Sequence, residues 1–196
     1  MKTYIKTNID EFIIERYKLN NLPPNVILLS KSTKNSHVFL LYNVDSKKPI
    51  GYISFALWPT IKSYTVGGAY SERGYGPFLY ECAMTFVYPS GLSMSRDSNT
   101  SGDALNIWFK FKERDDVKNE RIYSDEITHK KEDWIASGLF DDDPKYRQSI
   151  FNLEDTRFYY SFGKEKLNKL INEGKEYMKE NNISEQDVEC MSWDLE

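Results

Sequence analysis

The chain has 196 residues, a formal net charge of −4 and a hydrophobic content of 40%. This length fits one domain with a sizeable core, and an aromatic content of 15% excludes a disordered chain. The negative charge argues against a nucleic-acid partner or an acidic membrane surface, because both are attracted by a basic field. We expect most of the 14 tyrosines and 11 phenylalanines to pack in the core rather than line a groove.

Two cysteines and two histidines supply little material for metal or nucleophile chemistry. Cys82 and Cys190 form no CxxC pair and no metal-ligand spacing, which predicts no metal site and a reduced, cytoplasmic location. Cys82 is interpreted as a core thiol, because it falls on the apolar side of a predicted helix. His129 stands in the charged stretch THKKEDW and is interpreted as solvated. With no 18-residue apolar run and no signal-peptide segment, we expect a soluble protein without membrane association.

The first third of the chain predicts a helix followed by strands. Asn8 and Glu11 have capping-box spacing, and the helix that they begin ends at NNLPPN. VILLS is interpreted as a buried strand, HVFLLYNVD and PIGYISFALW as an antiparallel hairpin, and SYTVGGAYS as the next strand. Gly67 and Gly68 inside that last strand indicate a bulge or a close backbone approach.

The remaining chain predicts alternating helices and strands. Helices are expected in PFLYECAMTFVY, TSGDALNIWFKFKER and KEKLNKLINEGKEYMKEN, and strands in LSMS and FNLEDTRFYYSF. Residues 110–135 carry nearly balanced charges and are interpreted as a solvated helix and loop, or an inserted lobe. Asp141, Asp142 and Asp143 are interpreted as a turn rather than a cation site, and Tyr159 and Tyr160 as core. The fold class is therefore mixed α/β, with a partly antiparallel sheet flanked by helices.

The stretch SERGYGP joins a predicted strand to a predicted helix through Gly74 and Gly76. The first amides of that helix have no internal partner and lie at the positive end of its dipole. Glycines let an anion approach the backbone closely, and Arg73 adds a positive charge. The turn therefore predicts a phosphate or pyrophosphate site. A Walker loop is excluded because no Gly-Lys-Ser/Thr follows, and a dinucleotide fingerprint because Leu79 stands where a third glycine is needed.

Residues 37–112, with the hairpin, the glycine pair, the turn and the helix in this order, resemble the GNAT (N-acetyltransferase) superfamily. The cofactor loop of that family runs Gln/Arg-x-x-Gly-x-Gly/Ala and holds the pyrophosphate of acetyl-coenzyme A. A GYGPxLY…AM run of this kind is also similar to phage-encoded proteins, which implies the host cytoplasm or a virion as the location.

The resemblance implies a single domain, residues 1–196, with a GNAT-like core at about 26–112, a charged insertion at about 113–150 and a helical C-terminal part at about 163–196. It implies acetyl-coenzyme A as the cofactor, without a metal, and an acceptor chosen by residues 113–160. A backbone amide near Ala69 and Tyr70 is expected to polarise the thioester carbonyl. The expected cofactor-binding residues are Ala69, Tyr70, Arg73, Gly74, Tyr75, Gly76 and Pro77.

Three departures from the family pattern leave the activity open. Ser71 stands at the first motif position, Trp108 stands four residues after Ala104 where many members have a tyrosine acid, and the fourth strand carries no glutamate base. No catalytic residue is therefore assigned. One hypothesis is an acyltransferase that moves acetyl from coenzyme A to an amine. The alternative is a catalytically inactive GNAT-like module that binds a host or virion protein, and a third is a structural module without a ligand.

Overall fold

The computed structural model describes residues 22–94, 100–122, 153, 155–160 and 163–195. These residues form a mixed α/β fold with a seven-stranded sheet and four helices. The strands are β1 (Val26–Ser32), β2 (Ser36–Asn43), β3 (Lys48–Trp58), β4 (Ser63–Ser71), β5 (Leu92–Ser93), β6 (Lys118–Arg121) and β7 (Thr156–Tyr159). The helices are α1 (Gly76–Phe86), α2 (Gly102–Glu113), α3 (Lys164–Glu180) and α4 (Glu185–Trp193).

The sheet has the strand order β1-β2-β3-β4-β5-β7-β6. Its neighbouring strands are antiparallel except for β4 and β5, which are parallel. A parallel pair needs a crossover connection, and α1 supplies it between β4 and β5. The predicted mixed α/β class with a partly antiparallel sheet is confirmed.

A β-bulge lies in β4 at the glycine pair. Ser54 of β3 pairs with Gly68, whereas the next residue, Phe55, pairs with Val66, so Gly67 is the extra residue. A Cβ at Gly67 would lie 3.3 Å from the Ser54 hydroxyl oxygen, which keeps this position small. The predicted bulge is confirmed, and it bends the strand that leads into the SERGYGP turn.

The main core lies between one face of the sheet and the helices α1 and α2. Six aromatic side chains from the sheet, α1 and α2 are less than 2% exposed in it: Trp108, Phe39, Phe55, Phe78, Phe111 and Phe158. Cys82 is fully buried here, and burial raises the pKa of its thiol well above the usual range. The predictions of an aromatic core, of a core thiol at Cys82, and of buried Tyr159 and Tyr160 are all confirmed.

Helix α3 crosses the β1 edge of the sheet. Its first half contributes Leu167 to the main core, and its second half contributes Met178 to a separate cluster on the other face. That second cluster is completed by Val188 of α4, and an ion pair between Lys31 and Glu189 joins α4 to β1. Both faces of β1 and β2 are consequently covered by helices.

Two elements differ from the sequence-based predictions. Residues 118–121 form the strand β6, paired with β7, instead of part of a solvated helix and loop. Helix α4 was not predicted as a separate helix. The predicted N-terminal helix, His129 and Asp141–Asp143 lie outside the described residues. None of the helices described here has the length and hydropathy needed to cross a membrane.

Candidate functional site

The SERGYGP turn connects the end of β4 to the first residue of α1. Gly74 has a φ of 95°, a left-handed conformation that glycine adopts without the steric cost of a side chain. The turn is closed by a hydrogen bond from the Tyr75 amide to the Glu72 carbonyl, 3.2 Å long. The backbone conformation at position 74 therefore favours glycine. Gly76 is the first residue of the helix.

The N-terminus of α1 has no side-chain cap. Tyr75 occupies the N-cap position without a capping hydrogen bond, Pro77 has no amide hydrogen, and the first turn contains no acidic residue. A helical backbone hydrogen bond runs from the Leu79 amide to the carbonyl of the N-cap residue Tyr75, at 3.2 Å. Within the described ranges, neither a capping side chain nor an acidic first-turn residue compensates the positive end of this helix dipole, which agrees with the sequence-based expectation.

The N-terminus of α2 differs from that of α1, because nearby side chains cap its backbone amides and oppose its dipole. The Ser101 hydroxyl accepts a hydrogen bond from the Ala104 amide at 3.3 Å, and Asp103 places a carboxylate in the first turn. This helix end is therefore capped and negatively charged.

A cleft of about 200 Å³ lies between the end of β4 and the first turns of α1 and α2. It combines backbone of the bulged strand, the glycine at the start of α1 and one face of α2. Its lining residues are Tyr52, Ala69, Tyr70, Ser71, Gly76, Leu79, Tyr80, Ser101, Asp103, Ala104 and Ile107.

The cleft exists because β5 follows β4 for only a short distance. Their parallel pairing consists of Tyr64 with Leu92 and Thr65 with Ser93. Beyond this point, residues 66–71 of β4 pair with β3 except at the bulge residue Gly67, and they have no β5 partner in the part of the chain that the structure describes. Within the described ranges, the backbone groups along this outer edge of β4 therefore face no partner strand.

The predicted cofactor-binding residues fall into two groups. Ala69, Tyr70 and Gly76 line the cleft, whereas Arg73, Gly74, Tyr75 and Pro77 form the adjoining turn and helix start without lining it. Arg73 is exposed at the turn. Among the described residues that line the cleft, Asp103 is the one with a formal charge. Within this lining the positive partial charges are those of backbone amides, and Arg73 adds its charge from the adjoining turn.

Gly76 lies where α1 packs closely against α2. A Cβ at this position would lie 3.0 Å from Cδ1 of Ile107 and 3.3 Å from the Ser71 hydroxyl oxygen. Ser71, the departure from the family motif, therefore lies beside the start of α1 and lines the cleft.

Tyr80 is a cleft residue that the sequence analysis did not single out. It is 3% exposed, and its ring meets the Trp108 ring edge-on with centroids 5.1 Å apart. The available signal was its position one helical turn after Gly76, which places the two on the same face of α1. Ala104 and Ile107 of α2 follow the N-cap Ser101 at three-residue intervals, which likewise places the three on one face.

Trp108 is 1% exposed and belongs to the main core. It therefore fills the space between α2, Tyr80 and Phe158 instead of presenting a polar group to the cleft.

The described residues contain no group of three or more His, Cys, Asp or Glu side chains that could hold a metal ion. Comparison of the chain with family models, with curated proteins and with solved structures yields no match.

Proposed function

We propose that the chain is a GNAT-like acyltransferase that binds acetyl-coenzyme A beside β4 and transfers its acetyl group to an amine. The observation that carries the proposal is the cleft itself. It brings the edge of a glycine-bulged strand, unpaired within the described ranges, next to a helix N-terminus that no described side chain caps, through a turn that contains Arg73.

The two ends of this arrangement match the two chemical parts of coenzyme A. The pantetheine arm is neutral and carries amide groups, which can pair with backbone at residues 66–71. The pyrophosphate is anionic, and the start of α1 offers amides and a dipole that favour an anion. Transfer further needs a neutral amine and a donor for the tetrahedral oxyanion, for which the proposal uses the backbone near Ala69 and Tyr70.

A catalytically inactive GNAT-like binding module is the second candidate function. It is favoured by Trp108, which is enclosed in the core and offers no proton. It is also favoured by Asp103, whose carboxylate lines the cleft and repels an anionic ligand. Under this alternative the scaffold binds a protein partner and turns over no thioester.

The test is calorimetry of the purified chain with acetyl-coenzyme A and with coenzyme A. The proposal expects binding at roughly micromolar strength, about −8 kcal/mol. Gly76→Asp should abolish binding, because the new side chain adds both bulk and negative charge where the phosphate is expected. Ser46→Asp is the matched control, since Ser46 is exposed in the β2–β3 turn and the substitution adds the same charge there.

Absence of binding to the wild-type chain would contradict the acyltransferase proposal. Binding that survives Gly76→Asp would instead mean that the ligand occupies another surface. If acetyl-coenzyme A binds, its turnover with a panel of amines separates the enzyme from the inactive module, because the module releases no free thiol.

A further inference from the structure

The cleft beside β4 has two ends of opposite electrostatic character. At the α1 end, the amides of Gly76 and Phe78 precede the helical hydrogen bond that the Leu79 amide donates. Arg73 adds a positive charge from the adjoining turn. At the α2 end, Asp103 contributes an exposed carboxylate that forms no hydrogen bond or ion pair with any described residue. The α1 end therefore favours an anion, and the α2 end favours a cation.

Tyr80 supplies a further donor at the α1 end. It lies one helical turn after Gly76, is 3% exposed and lines the cleft. Its hydroxyl forms no hydrogen bond with any residue in the described ranges, and it is not one of the fully enclosed unpaired oxygens, so it opens into the cleft. Burial raises the pKa of this hydroxyl above the usual tyrosine range. The hydroxyl therefore keeps its proton and donates to an acceptor that a ligand brings.

The two ends of the cleft are close together. A Cβ at Gly76 would lie 3.0 Å from Cδ1 of Ile107, and Asp103 precedes Ile107 by four residues, about 6 Å of helical rise. The cleft volume of about 200 Å³ is below the about 300–1,000 Å³ of a pocket that encloses a drug-sized ligand. The enclosed space therefore fits one residue of a longer chain, with an anionic and a cationic group of that residue at opposite ends.

The rest of such a chain can follow the backbone of β4. Ala69, Tyr70 and Ser71 line the cleft, and residues 66–71 face no β5 partner within the described ranges. An extended peptide adds to a strand edge through main-chain hydrogen bonds, and backbone amides capture a terminal carboxylate in the same way in other peptide sites. Strand edge, amides and carboxylate together match the C-terminal end of a polypeptide.

We propose that the cleft binds the C-terminus of a partner protein whose last residue is lysine or arginine. The terminal carboxylate accepts hydrogen bonds from the start of α1 and from the Tyr80 hydroxyl. The basic side chain pairs with Asp103, and the preceding residues extend the sheet at β4. This inference does not rest on acyl transfer, and it gives the partner of the binding module a defined chemistry. Coenzyme A is proposed for the same cleft, so the two ligands compete.

The test is calorimetry of the full chain with the peptide acetyl-Ser-Gly-Ser-Lys, which has a free carboxylate. We expect a Kd of about 100 μM or tighter. Amidation of the carboxylate, or norleucine in place of lysine, should each weaken binding by at least about tenfold. Acetyl-lysine with a free carboxylate, which lacks the preceding residues, should also bind at least about tenfold more weakly. Equal affinity for acetyl-lysine and the peptide would overturn the strand addition.

Two variants separate the two ends of the cleft. Asp103→Asn should remove the preference for lysine over norleucine and keep the preference for a free carboxylate. Tyr80→Phe should weaken the preference for the carboxylate and keep the preference for lysine. Because each variant retains one preference, loss of folding cannot imitate either result. Asp115→Asn and Tyr88→Phe are the matched controls, since both residues are exposed and lie outside the lining, and both preferences should persist in them.

Absence of peptide binding to the wild-type chain would overturn this inference, as would unchanged preferences in Asp103→Asn and Tyr80→Phe. Coenzyme A binding in the same preparation would then leave the proposed function standing. Peptide binding without coenzyme A binding would overturn the proposed function and support the inference, so the two failures are distinguishable.

Discussion

Gly174 of α3 lies against the backbone carbonyl of Leu28 in β1. A Cβ at Gly174 would overlap the carbonyl oxygen and lie 3.0 Å from the carbonyl carbon. This contact marks the point where α3 passes from one face of the sheet to the other, between Leu167 and Met178. The absence of a side chain at this one position lets the helix cover the edge strand.

We expect Gly174→Ala to destabilise the protein by about 2 kcal/mol or more, because the new methyl group meets backbone that cannot rotate away. In an ordinary helix interior the same change stabilises by up to about 1 kcal/mol, so the sign of the effect is diagnostic. Chemical denaturation measures it. Asn172→Ala, at an exposed position of the same helix, is the control and should change stability by less than about 0.5 kcal/mol. Stabilisation by Gly174→Ala would contradict the crossing geometry.

The elements that could be predicted from sequence are those with a local signal. Strand β4 was predicted at Ser63–Ser71, the bounds that it has, because alternating residues and the glycine pair mark it. Strand β6 was missed because its four residues are all exposed, so that only backbone pairing with β7 identifies it. Helix α4 does carry a signal, the Ser184–Asp187 capping box, but the third residue of the helix is aspartate instead of the usual glutamate or glutamine.

The candidate site was predictable only in part, for a different reason. The turn and its glycines are contiguous in sequence, and they were found. Tyr80, Ser101 and Ile107 join them through the divergence of β4 from β5 and the packing of α1 on α2, which are long-range features. Residue spacing within one segment does not indicate which faces of two helices pack together. The α2 side of the cleft could therefore be identified only from the structure.

His37 is a buried imidazole surrounded by aromatic rings. It is 7% exposed, and its neighbours are Phe55, Tyr64 and Phe86, with ring centroids 4.7–5.6 Å away. Burial lowers the pKa of His37 below 6.5. Its Nδ1 atom is enclosed and has no hydrogen-bond partner among the described residues, so the charged form is poorly accommodated.

We expect the free energy of unfolding to fall as the pH drops below about 6.5. In this range His37 binds a proton more readily in the unfolded chain than in the folded chain, where its pKa is lowered. Above that pH the imidazole is neutral in both the folded and the unfolded chain, so the contribution of His37 to the free energy of unfolding no longer changes with pH. Denaturation between about pH 5 and pH 7.5 measures the slope. His37→Phe should make the slope shallower, since the aromatic surroundings accept the new ring without a titrating group. An equal slope in both proteins would show that other groups cause the pH dependence.

Arg114 joins α1 to the turn that precedes β6. It forms an ion pair with Glu81, whose side chain is 1% exposed, and two hydrogen bonds of 2.6 and 2.7 Å with Asp116. The guanidinium also lies over the rings of Phe111 and Tyr160. The pair therefore anchors the middle of α1, at the residue that follows the cleft-lining Tyr80.

Arg114→Met should destabilise the protein by about 3–5 kcal/mol, because it leaves the Glu81 carboxylate in the core without this cation. Combining it with Glu81→Gln should recover at least about 1 kcal/mol, which a double-mutant cycle from urea denaturation resolves. Arg121→Met is the control: Arg121 is 65% exposed and lies 3.8 Å from Asp155, so its loss should cost less than about 1 kcal/mol. Additive effects of the Arg114 and Glu81 substitutions would contradict the pairing.

The contact between Gly76 and Ile107 predicts a suppressor pair at the cleft. Gly76→Ala places a Cβ 3.0 Å from Cδ1 of Ile107, a cleft-lining residue, so the end of that side chain must shift. On the proposed function this should weaken coenzyme A binding by about tenfold, or about 1.4 kcal/mol. Ile107→Val deletes the Cδ1 atom itself, and the double variant should therefore regain most of the wild-type affinity in calorimetry.

Gly102→Ala is the matched control for this pair, because a Cβ at the start of α2 meets nothing within 4 Å. It should leave affinity unchanged although Gly102 lies between two cleft residues, Ser101 and Asp103. If Gly76→Ala weakens binding and Ile107→Val does not restore it, the new methyl group acts on the ligand directly. The start of α1 would then be a contact surface for the ligand, and the packing of Ile107 would not set the width of the cleft.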